Sequence, residues 1–235
     1  MGNKQILILC ATKQEQDKIL RSALVDWHYN EDDDVWYSDV DDECYDGHSI
    51  YLSVIGIGKV EATMNTVLAL SLFRPDIVIN VGVCGGSAEA FKHKRVAEVG
   101  LVVNNDFDTS EVDGTPFYKP FVTLHKDCTD PLPCFTQDHF CVNNSDIAYS
   151  IGGVEDYVVD NIWYVDMESF AVASVCNSLG YPVKIIKAIS DVVGSGQQGK
   201  DFGDFDGVGF DRACDLAATK LKGVLSESIH TVSEE

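Results

Sequence analysis

Residues 164–192 read YVDMESFAVASVCNSLGYPVKIIKAISDV, and the fold is decided by their pattern. Asp166, Met167 and Glu168 lead into residues 170–179, a run with no charged side chain. Positions 167, 170, 171, 174, 175, 178 and 179 share a helical face, and five of these seven are apolar. Val172, Ala173 and Cys176 make the other faces apolar too, which predicts a helix buried all round. Gly180 suits the left-handed residue that ends a helix, and Pro182 forbids continuation. A β-branched run, residues 183–189, follows and ends in Ser190 and Asp191. A helix of about 12 residues rises about 18 Å, and a returning strand of about 7 residues covers about 23 Å. The chain therefore returns to its starting level. With the strand antiparallel to the helix, Glu168 and Asp191 end at one edge of a sheet, although 23 positions separate them. Two carboxylates that converge in this way suggest a site.

The rest of the chain alternates similarly. Residues 4–11 and 76–81 read as short buried strands, 96–103 and 121–124 as further strands, and 134–142 as a strand ending near Phe140. Residues 36–38 and 49–55 are β-rich pieces flanking an acidic loop. Helices are expected at 14–25, from 59 through 72, at 143–150 and at 208–232. Glycine-bearing turns at 56–58 and 82–87 follow strands, where a bare backbone lets a ligand approach N–H groups closely. The second is not the dinucleotide fingerprint, because Gly82 is followed by glycines three and four positions on. This alternation predicts an α/β fold, a three-layer αβα arrangement around a central mixed, largely parallel sheet. A length of 235 residues with 45% hydrophobic content suits a single domain spanning residues 1–235.

Composition excludes several partners. A formal net charge of -21 argues against nucleic acid and against an anionic membrane, since both require basic surface. The acidic residues at 31–34 and 39–46 lack the alternating oxygen ligands of a calcium loop and read as solvated faces. The eight cysteines contain no Cys-x-x-Cys pair and no zinc-like histidine spacing, so no metal site is expected. Several lie in apolar runs, as buried free thiols do. The apolar run 6–11 is too short for a secretion signal and no stretch approaches membrane-spanning length, which predicts a reduced, cytoplasmic protein.

In open α/β sheets, ligands bind beyond the carboxyl ends of the strands. Glu15, the 82–87 turn, Phe140 and Asp191 all lie just past predicted strand ends, and Glu168 joins them through the helix-length argument. Each has a bland account when taken alone: Glu15 and Glu168 as acids favoured at helix N-termini, Asp191 as a loop cap. Their convergence on one edge favours a functional reading.

The blocks Gly56-Ile57-Gly58-Lys59-Val60, NVGVCGG at 80–86, Asp166-Met167-Glu168 and Ala188-Ile189-Ser190-Asp191 resemble the purine nucleoside phosphorylase and nucleosidase superfamily. The likeness is closest to the 5′-methylthioadenosine/S-adenosylhomocysteine nucleosidases, and runs from about residue 4 to the C-terminal helix. The resemblance implies hydrolysis of the N-glycosidic bond of an adenine nucleoside, releasing adenine and a 5′-thioribose without a cofactor. Asp191 is then the general acid at purine N7, and Glu15 activates the attacking water. Glu168 accepts hydrogen bonds from the ribose hydroxyls, Met167 packs on the sugar, and Phe140 stacks on the base. The Cys141 backbone reads the adenine edge, and Ile57 forms an apolar wall of the 5′-pocket. Val83, where the family commonly has serine, and Ser190 of the Ile-Ser-Asp block complete the substrate contacts. Breaking this bond builds positive charge on the ribose and negative charge on the purine, so carboxylates and a proton donor are the groups that the chemistry requires.

Phosphorolysis is the alternative. The related hexameric phosphorylases carry arginine at the position of Asn80 and serine at that of Val83, and an early Gly-Asp-Pro segment with a second arginine is missing here. An anion site stripped of these groups favours water as the nucleophile. A further alternative is a non-catalytic nucleoside-binding or storage protein, against which the retention of Glu15, Glu168 and Asp191 together argues. The departures are Lys187, where the nucleosidases usually have arginine, and the polar Thr12 in the 5′-pocket. Phe202 or Phe205, flanked by Gly199 and Gly203, is the expected lid aromatic. The family likeness also implies a homodimer, with residues 107–121 as the loop donated to the partner's pocket.

Overall fold

The structure, a computed structural model, describes residues 4–22, 25–38, 48–107, 120–124, 132–143, 147, 162–196 and 209–230. Its strands are β1 (Gln5–Cys10), β2 (Trp27–Asn30), β3 (Val35–Ser38), β4 (Ser49–Val54), β5 (Ile77–Gly86), β6 (Val96–Glu98), β7 (Leu101–Asn104), β8 (Phe121–Thr123), β9 (Pro133–Thr136), β10 (Tyr164–Asp166) and β11 (Val183–Val192). The helices are α1 (Lys13–Arg21), α2 (Lys59–Phe73), α3 (Ala88–His93), α4 (Ser169–Leu179) and α5 (Phe210–His230).

All the strands join one mixed sheet. At its centre β4, β1, β5 and β11 are linked by parallel pairings, while β2, β3 and β4 are antiparallel neighbours around the acidic turn at 31–34. Strand β1 shows why the centre is buried on both faces. Its Ile6, Ile8 and Cys10 pack with Ile19 of α1 and with Ala213, Ala217 and Leu221 of α5. Its Leu7 and Leu9 pack on the opposite side with Ala62, Ala69 and Leu70 of α2 and with Val172 and Cys176 of α4. An alternating side-chain direction on a strand that is apolar throughout requires a helical layer on each side. The three-layer α/β architecture follows.

Strand β5 creates the space for a site. Its residues 78–86 pair with β11, whereas its other edge is shared. Residues 77–80 pair with β1, and Gly85 and Gly86 pair antiparallel with β10. Among the described residues, 81–84 have no strand neighbour on that shared edge, and the sheet opens there.

Several boundaries depart from the expected ones. The glycines at 82–86 are not a turn but the end of β5, because β11 and β10 supply ladder partners to the backbone. The strand expected over 96–103 breaks at Val99 and Gly100 so that β6 can pair with β11 while β7 pairs with β9. Strand β9 ends at Thr136, four residues before Phe140, and the chain bends at residues 138–139. Asp191 lies inside β11 and follows a register shift between Ile189 and Asp191. Strands β2 and β10 and helix α3 were not anticipated. Helix α4 is buried over its first turns, but Asn177, Ser178 and Leu179 are exposed, so it is not buried all round. Gly180 ends it in the left-handed conformation (φ 79°), as its sequence position predicts. The helix expected at 143–150 and the lid residues Gly199, Phe202, Gly203 and Phe205 fall largely or wholly outside the described residues, as does most of the 107–121 loop. No helix among the described residues is long and apolar enough to cross a membrane.

Candidate active site

Helix α1 begins where β1 ends, and the junction is a capping box. Thr12 Oγ1 accepts from Glu15 N (3.3 Å), and Glu15 Oε2 accepts from the backbone N–H groups of Ala11 and Thr12, both at 3.0 Å. Thr12 Oγ1 also approaches Oε2 at 3.2 Å. The other oxygen, Oε1, accepts from Val83 N at 2.9 Å, on the edge of β5 where, among the described residues, 81–84 have no strand neighbour. The bland reading of Glu15 as a first-turn acid is therefore true, yet the same carboxylate bridges to β5 and reaches the opening of the sheet.

Glu168 occupies the N-cap of α4, but its side chain caps nothing there. Its Oε1 instead accepts from Gly58 N at 3.0 Å, at the start of α2. Gly58 has φ 87°, a conformation that glycine adopts without strain. Capping of α4 falls to Asp166, whose Oδ2 accepts from Ser169 N (3.0 Å) and from the Ser169 hydroxyl. Thr136 Oγ1 donates to Asp166 Oδ1 at 2.7 Å, and Lys187 Nζ is 2.9 Å from Oδ2.

Asp191 is 2% exposed and approaches Gly85 from β11. The hydroxyl of Ser190 is 2.6 Å from Asp191 Oδ1 and 3.1 Å from Cys84 O. A carbonyl can only accept. The single hydroxyl proton can therefore go to Cys84 while the oxygen accepts from a protonated Asp191, or it can turn to an ionised one.

Electrostatics separates the buried acids. Burial, then the neighbouring Asp166, pushes the Glu168 carboxyl up from 4.5 to about 7, although Lys187 and the Gly58 N–H pull the other way. Burial also acts to raise Asp166, but Lys187 and the Ser169 and Thr136 hydroxyls outweigh it and hold this carboxyl below its ordinary value. For Lys187, burial favours the neutral amine, yet Asp166 and Glu168 overcome this and leave the ammonium more firmly protonated than usual.

These groups surround a cleft with an empty volume of about 610 Å³, open to solvent. Glu15, Ile57, Val83, Phe140, Cys141, Met167, Glu168 and Asp191 all line it, so the structure brings eight of the residues singled out in the sequence to one cavity. Ser190 does not line it and bears on it through Asp191. Asn80 lies outside it too: its Nδ2 donates to Leu9 O at 3.1 Å. Thr12, His139 and Phe210 are further lining residues. Among the described lining residues there is no lysine or arginine. The Asp166–Lys187 pair was missed as a unit. Its signal was a lysine within the otherwise apolar run 185–189 of a buried strand, which demands a buried counter-charge.

Residues 5–143 match the phosphorylase superfamily. The chain is 31% identical over 191 residues to a 5′-methylthioadenosine/S-adenosylhomocysteine nucleosidase of Bacillus cytotoxicus, covering 73% of this chain and 77% of that protein. Among solved structures it is similar to a Helicobacter pylori 5′-methylthioadenosine/S-adenosylhomocysteine nucleosidase, with a TM-score of 0.75 and 21% identity over 97% of this chain and 100% of the other. It is also similar to the futalosine hydrolase of the same organism, with a TM-score of 0.74 and 21% identity over 95% and 98% of the two chains.

Proposed function

Because the chain belongs to the phosphorylase superfamily, and has relatives within it that are nucleosidases, we propose that it hydrolyses the N-glycosidic bond of an adenine nucleoside. Its substrate is 5′-methylthioadenosine, S-adenosylhomocysteine or both, and its products are adenine and a 5′-thioribose. The observation that carries this reading is the meeting of Glu15, Glu168 and Asp191 from three separate elements in one cleft, beside the aromatic Phe140.

In this mechanism the purine lies against Phe140 and the ribose against Met167. Asp191 gives its proton to N7 as the bond from C1′ to the base breaks, and the electron pair leaves with the purine. A general acid of this kind contributes about 10²–10⁴ in rate. The proton leaves from Asp191 Oδ2, while the Ser190 hydroxyl, 2.6 Å from Oδ1, donates to that oxygen and stabilises the charge that develops. Water attacks C1′ and passes a proton to Glu15, which four donor groups hold in place. Glu168 orients the ribose through charge-assisted hydrogen bonds. The absence of lysine and arginine from the described lining supports water over phosphate as the nucleophile.

A homodimer is part of the proposal. Val60, Met64, Val67, Leu68 and Leu72 of α2 are exposed and recur at helical spacing, giving an apolar stripe suited to a second copy of the chain. Placement in the cytoplasm accords with the free, buried thiols of Cys10, Cys84, Cys134, Cys176 and Cys214.

The test is a panel of nucleosides, varied in base and 5′-group, assayed with and without phosphate. Adenine release in phosphate-free buffer is expected, with Asp191→Asn and Glu15→Gln each lowering kcat by at least about 10². Base release that requires phosphate would replace the hydrolase by a phosphorylase, and tight nucleoside binding without turnover would make this a binding protein.

A further inference from the structure

Lys187 carries the strongest inference that the nucleosidase mechanism leaves unused. Its side chain is 2% exposed, in a strand whose neighbours Ile185, Ile186, Ala188 and Ile189 are fully buried. A buried ammonium needs a partner. Lys187 has Asp166 at 2.9 Å, and Asp166 is in turn saturated by Thr136, Ser169 N and the Ser169 hydroxyl. The pair thus joins β11, β9, β10 and the first turn of α4. Glu168 lies between Asp166 and Ser169 in the chain, within the turn that this network closes.

The network relieves Glu168 of the capping duty that its position would impose. Asp166 takes the α4 N–H, and the Glu168 carboxylate extends to Gly58 N and the cleft. Lys187 is also close to the water-activating group. A Cβ built on Gly82 would be 2.6 Å from Glu15 Oε1 and 3.5 Å from Lys187 Nζ. One cation therefore serves three buried carboxylates, Asp166, Glu168 and Glu15; all three line the cavity, with Glu168 and Glu15 at the sugar and water positions of the mechanism.

We propose that Lys187 is a positioning residue for the sugar-binding carboxylate: paired with Asp166, it closes the turn from Asp166 to Ser169, directs Glu168 to the ribose hydroxyls and opposes its protonation. This role rests on the nucleosidase reading for its purpose, but not for its physics. The charged or titratable groups around Glu168 are Asp166 from β10, Lys187 and Asp191 from β11, Glu15 from α1, the Gly58 N–H and Lys59 at the start of α2, and Asp138 and His139 after β9. Of the two cations, Lys59 is engaged by Asp106 and Asp138, whereas Lys187 is directed at the acid that caps the Glu168 turn.

The test follows the Glu168 carboxyl directly. Protein labelled with ¹³C-glutamate is titrated by NMR, and the Glu168 resonance is assigned by its loss in Glu168→Gln. Lys187→Met should raise the Glu168 midpoint by about one pH unit or more, whereas Asp166→Asn should lower it, because the two variants remove charges of opposite sign. Lys187→Arg should titrate close to the wild type. In the kinetic arm, Lys187→Met should raise KM severalfold more than it lowers kcat, and the acid limb of kcat/KM should move to higher pH. An unchanged Glu168 midpoint in Lys187→Met overturns the proposal. If that variant does not fold, a midpoint in Asp166→Asn that is unchanged or raised does so. Absence of adenine release by the wild type would instead overturn the nucleosidase reading, and the NMR titration would still decide the role of Lys187.

Discussion

At the scale of single residues, Glu168 has a measurable effect on stability. A carboxyl that binds its proton more tightly in the fold than in the unfolded chain stabilises the fold fully below its ordinary value of 4.5. That contribution is lost as pH rises through about 7. The slope is at most about 1.4 kcal/mol per pH unit for one group. Asp166 acts in the opposite sense: its lowered affinity stabilises the fold above its ordinary value of 3.8, and the gain disappears only in stronger acid. Lys187, whose ammonium is held more firmly than usual, contributes throughout the neutral range and loses its effect only in strong alkali. The interval from pH 5 to 7 therefore belongs to Glu168 among these three. Urea unfolding across that interval should show wild-type stability falling with pH, and Glu168→Gln should flatten the fall. At pH 8 this variant should be more stable than the wild type, while its KM for the nucleoside is raised. An equally steep fall in Glu168→Gln would assign the effect to another group.

At the scale of elements, β5 serves two purposes, and two of its glycines separate them. At Gly82 a Cβ would lie 2.6 Å from Glu15 Oε1, so Gly82→Ala must displace a carboxylate that four donor groups hold. A displacement near 1 Å at a reacting group can lower the rate by about 10², and kcat should fall with little change in the unfolding midpoint. At Gly86 a Cβ would lie 2.6 Å from Ile189 Cδ1 and 3.2 Å from Trp163 O, where side chain and backbone of the packed core leave no room. Gly86→Ala should destabilise by about 1–3 kcal/mol, with kcat in the remaining folded protein less affected than in Gly82→Ala. Steady-state kinetics and urea unfolding on the same preparations check both outcomes. A reversal of the two phenotypes would mean that the gap at 81–84 is not what admits Glu15 to the cleft.

At the scale of the whole molecule, a net charge of -21 keeps copies apart unless a specific surface overcomes the repulsion. The α2 stripe is the surface proposed for this, and Ile57, 56% exposed at the cleft wall, lies just before the start of α2. Replacing Met64 and Leu68 together by glutamate should convert a dimer to a monomer in light scattering. Activity should fall with dissociation if the partner completes the 5′-side of the cleft. A wild-type protein that is monomeric at micromolar concentration and fully active would remove the dimer from the proposed function.

Much of this was legible in order along the chain. Apolar runs of strand and helix length, such as the helix ended by Gly180 and Pro182, are local signals, and they led to a layered α/β fold. The convergence of Glu168 and Asp191 was legible for a similar reason: one helix and one returning strand of known rise fix the level at which each ends. The cysteine spacing and the charge narrowed the chemistry in the same local way. Features that depend on which strand lies beside which were not legible. Periodicity cannot show that β5 changes partner from β1 to β10, and the glycines at 82–86 therefore read as a turn and not as a strand. Nor could it show that Asp166 would cap α4 and leave Glu168 to the cleft, because the ammonium that saturates Asp166 comes from a strand 21 positions away. Sequence by itself determined the layers and the carboxylates they carry. Only the tertiary structure decided which carboxylate is spent on holding the fold and which is left for a ligand, since a buried charge is assigned by its nearest partners in space.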